Sequence, residues 1–205
     1  MTAAARIPGV RRIAVLRANA LGDLVFALPA LDALRAAYPE AEIVLLGDAW
    51  HAGFLTGRPG PVDRVEVVPP LPGVRGRPEH HDPDAVEAFC ARMRGERIDL
   101  ALQLHGGGAN SNPFVRRLGA RVTAGLRAPD AAPLDRWVPY VYYQHEVVRY
   151  LEVAALVGAP PVGVMPLMAV TGDDRDEALR ALPPGEAPLV VVHPGATDPR
   201  RRWPP

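Results

Sequence analysis

A chain of 205 residues that is 48% hydrophobic and 22% charged carries enough apolar material for a packed core, which excludes global disorder. The formal net charge is +0 and all 23 basic residues are arginine, so the broad basic surface of a nucleic-acid binder is not expected. The single cysteine, Cys90, excludes an internal disulfide, and no run reaches the roughly 20 apolar residues of a membrane span. Met1 to Arg12 lacks the apolar stretch of a signal peptide, and a cytoplasmic protein is expected.

Arg12 to Arg17 is a short apolar run ending in turn chemistry, the pattern of a buried parallel strand. From Leu24 onward, Leu28, Leu31, Leu34 and Tyr38 recur at three- and four-residue spacing and predict a helix face. Pro29 lies inside it and has no N–H for the Val25 carbonyl, which predicts a kink or a late start. Apolar runs at Ile43 to Leu46, Val62 to Val68 and Leu100 to Leu104 alternate with helical or loop segments, so the predicted class is α/β with a parallel sheet. Pro69 to Pro83 reads as a mobile loop, Asp84 to Arg97 as a helix, Val122 to Leu126 as a strand and His145 to Val157 as a helix. Gly158 to Pro166 reads as a linker, Asp173 to Leu182 as a short amphipathic helix, and Leu189 to Val192 as a fresh buried strand. The expected organisation is a Rossmann-like domain over 1–160, a linker and crossover helix over 161–187, and the first strand and loop of a truncated second domain over 188–205.

Three constellations carry candidate chemistry. In the turn after the first strand stand Asn19, Gly22 and Asp23; an acid at the carboxyl end of a parallel strand is well placed to react, and it equally suits a helix cap. Only Gly22 is present where a dinucleotide site needs G-x-G-x-x-G, which argues against nicotinamide or flavin. The second, His105-Gly106-Gly107-Gly108 with Asn112-Pro113, offers open backbone N–H groups for sugar or acceptor hydroxyls, or is simply a flexible connection. No G-x-S-x-G elbow accompanies it to make a lipase site. The third is the tail, where Thr197, Arg201 and Arg202 suit diphosphate oxygens or form a solvated terminus. His80, His81, Asp82 and Asp84 lack a convincing ligand spacing, and no metal is expected.

Taken together, Ile13-Ala14-Val15-Leu16-Arg17, Leu21-Gly22-Asp23-Leu24-Val25, Leu28-Pro29-Ala30-Leu31, Gln103 to Pro113, Leu118-Gly119-Ala120-Arg121, His193 to Thr197 and Arg201-Arg202-Trp203-Pro204 resemble glycosyltransferase family 9, the ADP-heptose:lipopolysaccharide heptosyltransferases. The resemblance implies a GT-B architecture, with two Rossmann-like domains facing a cleft and helices on both faces of each sheet. It implies inverting, metal-independent transfer with no cofactor, from ADP-heptose or another nucleotide-diphosphate sugar to a glycan or lipopolysaccharide-type acceptor. Asp23 then becomes the catalytic base, Asn19, Gly22, His105, Gly106, Gly107 and Asn112 the acceptor side, and Thr197, Arg201 and Arg202 the donor-phosphate side. Arg201 stands where the family usually has lysine, and the two are not equivalent. The expected partners are a nucleotide sugar and a glycan or glycolipid acceptor, with peripheral contact at the inner face of the cytoplasmic membrane and no nucleic acid. Because the family needs its whole second domain to hold the nucleotide, little transferase activity is expected of this chain alone. The rival expectation is a non-catalytic binding module that keeps the acceptor-side fold.

Overall fold

The computed structural model describes residues 4–182, 185, 189–196, 200, 202 and 203. It divides into two compact units, Met1–Ala169 and Val170–Pro205. Among the described residues no helix is long and apolar enough to cross a membrane.

The first unit is a six-stranded, wholly parallel sheet. Its strands are β1 (Arg12–Leu16), β2 (Glu42–Gly47), β3 (Arg64–Val67), β4 (Leu100–Gln103), β5 (Val122–Arg127) and β6 (Arg136–Pro139), in spatial order β3-β2-β1-β4-β5-β6. Helices α1 (Leu21–Ala37), α2 (Ala49–Leu55), α3 (Pro83–Gly95), α4 (Ser111–Arg117) and α5 (Glu146–Leu156) connect or follow them. Side chains alternate across a strand, so β1 sends Ile13 and Val15 to one face and Ala14 and Leu16 to the other. The first pair joins a core built with α1 and α5, and the second a core built with α3 and α4. Helices therefore cover both faces, which is why the central strands read as continuous apolar runs.

Several expectations shift in detail. Pro29 does not delay α1, which runs unbroken from Leu21 to Ala37 and buries the proline. The segment expected to be a mobile loop at Pro69 to Pro83 is pinned: Leu71 and Arg75 form an antiparallel bridge, Val74 is buried, and Arg75 reaches the Val68 carbonyl and Asp48. Asp82 caps α3 by accepting from the N–H groups of Asp84 and Ala85.

In the second unit α6 (Gly172–Ala181) forms as expected, capped by Thr171. The strand expected at Leu189 to Val192 does not form: these four residues lie outside any strand, at 66% to 79% exposure. A buried parallel strand exists only where neighbours take its N–H and C=O groups and cover its faces, and no strand is present in the described part of this unit.

Candidate active site

The strand order reverses between β1 and β4, and in open α/β sheets ligands bind in the crevice outside the carboxyl ends at such a switch point. The turn Arg17 to Ala20 leaves β1 there, and the glycine segment leaves β4 beside it. Two of the three sequence-predicted constellations thus converge, although about 80 residues separate them in the chain.

Asp23 occupies the third position of α1 rather than its cap. The capping residue is Ala20, which has no side-chain acceptor, and Asp23 Oδ2 reaches back to accept from the Ala20 N–H at 3.1 Å. Its Oδ1 accepts from Arg17 Nη2 at 2.6 Å. The Arg17 side chain is 3% exposed, and that of Asp23 is 36% exposed. Arg17 also donates through Nε to the Asp23 carbonyl and through Nη1 to the Leu104 carbonyl, joining the first turn of α1 to the end of β4.

His105 lies at the end of β4, 8% exposed, with Nδ1 accepting from the Ala18 N–H at 3.4 Å. Burial, reinforced by the nearby Arg17 cation, lowers its pKa to about 4, so the ring is neutral near pH 7 and serves as a hydrogen-bonding group. With Asn19, Gly73, Gly106 and Gly107 it lines a pocket of about 240 Å³. Gln103 supports this loop from below: Nε2 donates to the His105 carbonyl at 2.5 Å and to Ser111 Oγ at 2.6 Å, while Oε1 accepts from the Leu126 N–H. A hollow of about 390 Å³ between α2 and β3 is larger, but Asp63 and Arg64 on its wall are already engaged by Arg35 and Glu42.

The remaining predicted residues separate. Gly22 is exposed in the first turn of α1, with open space above it. Asn112 is fully buried and touches no open surface; it donates to the carbonyls of Leu126 and Ala132 and so braces the loop from within. Gly108, at φ +96, is required there, because a Cβ would lie 2.4 Å from the Asn112 amide. Thr197 and Arg201 lie outside the described residues. Arg202 is described in the second unit, where Nε donates to the Ala196 carbonyl at 2.7 Å.

Sequence reasoning passed over Arg17, Glu146, Arg149 and Tyr150. The Arg17 guanidinium lies over the Tyr150 ring at 5.0 Å, and Glu146 stands 3.8 Å from Arg17 Nη2. Glu146 accepts from the Tyr150 hydroxyl and pairs with Arg149 at 2.7 Å. The available signal was a basic residue closing an apolar strand, and an acid opening a helix.

Solved structures share this fold. A glycosyl transferase family 9 structure from Veillonella parvula matches 98% of this chain and 58% of its own, at TM-score 0.73 and 18% identity. The E. coli ADP-heptose LPS heptosyltransferase II matches 95% of this chain and 58% of its own, at TM-score 0.70 and 19% identity. The E. coli heptosyltransferase WaaC, solved with ADP-2-deoxy-2-fluoro heptose, matches 94% of this chain and 62% of its own, at TM-score 0.61 and 20% identity. No family model and no curated protein matches the chain. The chain spans 58% of the length of the first two structures, and the likeness shows that it carries their α/β fold over that span.

Proposed function

We propose that this chain is the acceptor-side part of a GT-B glycosyltransferase that transfers a heptose or related sugar, with inversion and without a metal, from a nucleotide-diphosphate donor to a glycan or lipopolysaccharide-type acceptor. The observation that carries the reading is Asp23 at the switch point, oriented from two sides and joined through Arg17 to Leu104 at the start of the glycine loop, on a fold shared with solved heptosyltransferases. The acceptor oxygen attacks the anomeric carbon as its proton passes to Asp23, and the bond to the diphosphate breaks with its electron pair leaving on phosphate oxygen. Each carboxylate oxygen has two lone pairs, so the bonds to Arg17 and Ala20 leave Asp23 capacity to accept that proton.

Asn19, His105, Gly106 and Gly107, which line the pocket, would meet acceptor hydroxyls, with Asn112 acting through the loop it braces. Thr197, Arg201 and Arg202 would take the charge that develops on the departing diphosphate. No cofactor is invoked. The partners are the nucleotide sugar and a glycan or glycolipid acceptor, met in the cytoplasm at the inner membrane surface.

The test is a donor and acceptor screen on a polypeptide in which a nucleotide-binding half continues this chain. Asp23→Ala is expected to lower kcat by about 10² to 10⁴-fold with donor affinity retained. A normal rate in that variant overturns the base assignment. Acceptor binding without turnover of any donor would make the chain a binding module instead.

A further inference from the structure

We infer that Arg17 is the positioning residue of the proposed base, fixing the Asp23 carboxylate in one orientation in the first turn of α1. The inference rests on Asp23 being that base.

A guanidinium at 2% exposure is costly unless its donors are spent well. Here each nitrogen has a separate target: Nη2 the Asp23 carboxylate at 2.6 Å, Nε the Asp23 carbonyl at 3.1 Å and Nη1 the Leu104 carbonyl at 2.8 Å. The Tyr150 ring covers the guanidinium face, and Glu146 Oε2 stands 3.8 Å from the same Nη2 that binds Asp23. The planar fork is therefore registered against the end of β1, the first turn of α1, the end of β4 and α5. A helix start requires only that Asp23 meet the Ala20 N–H, which constrains one oxygen. Arg17 constrains the other, and together they leave the carboxylate no free rotation. Lysine, a single point charge on a flexible stem, cannot reach the carboxylate and the Leu104 carbonyl with the same geometry.

The experiment measures kcat, the nucleotide-sugar KM and thermal unfolding in the continued polypeptide, for Asp23→Asn, Arg17→Lys, Arg17→Ala and Tyr150→Leu. Both Arg17 variants are expected to lose about 10²-fold in kcat through misplacement of the base, with the nucleotide-sugar KM within about twofold of the parent. Guanidinium ion at non-denaturing concentration should restore part of the rate of Arg17→Ala and none of the rate of Asp23→Asn. If Arg17→Ala does not fold, Arg17→Lys and Tyr150→Leu carry the test; the latter is expected to lose roughly tenfold by withdrawing the ring beneath the cation. Normal kcat in Arg17→Lys, or a loss in folded Arg17→Ala that resists guanidinium, overturns the inference while Asp23→Asn remains inactive. Normal kcat in Asp23→Asn overturns the underlying base assignment instead.

Discussion

His105 couples the candidate site to pH. Its folded pKa of about 4 lies below the ordinary 6.5 because burial and Arg17 disfavour the imidazolium. Between these values the unfolded chain binds a proton that the folded chain does not. The stability contribution is therefore complete above about pH 6.5 and is lost as pH falls toward about 4. The loss reaches at most about 3 kcal/mol. His51, also buried with a lowered pKa, acts in the same direction. Urea unfolding at pH values across that window should show stability falling with acid in the parent and a shallower fall in His105→Gln. Equal slopes would remove His105 as a source of the dependence. At this scale the sequence named His105 and Asp23 but missed Arg17, because an arginine after an apolar run reads as the end of a strand. Its bond to Leu104 appears only when β1 and β4 lie side by side.

Among the elements, the start of α1 retains an incomplete cap. Asp23 supplies the return half of a capping box, but Ala20 offers no oxygen to the N–H groups of the first turn. Ala20→Ser is expected to stabilise the chain by about 1 kcal/mol, read as a raised thermal midpoint. An unchanged midpoint would mean that water already serves those N–H groups equally well. The longer periodic elements were legible: α1, α3 and α5 follow their apolar spacing to within a few residues. The elements not foreseen are short. α2 has seven residues, too few to display a helical period, and β6 has four, ending in Pro139 at the sheet edge, where a missing N–H is tolerated. The glycine in β5 also has a role invisible locally: a Cβ on Gly125 would lie 2.7 Å from that of Gln103, the side chain that supports the His105 loop.

At the scale of the molecule, the unit Met1–Ala169 contains all six strands and both apolar cores. A fragment ending at Ala169 is expected to unfold in one cooperative transition, with circular dichroism and fluorescence giving coincident curves. Separated transitions would show that the two faces of the sheet do not form one folding unit. The apolar run Leu189 to Val192 marks the reverse case, since its composition predicts a buried strand and, among the described residues of its unit, no partner strand is present. The sequence by itself determined the class of the fold, because alternation of apolar runs with helical spacing is a local property of the chain, and it singled out the turns that carry the candidate side chains. Only the tertiary structure decided that β1 and β4 are neighbours at the reversal of strand order. That adjacency sets Asp23, Arg17 and His105 around one crevice, and it turns Asn112 inward as a brace. It depends on pairing between segments about 80 residues apart, which no local spacing encodes.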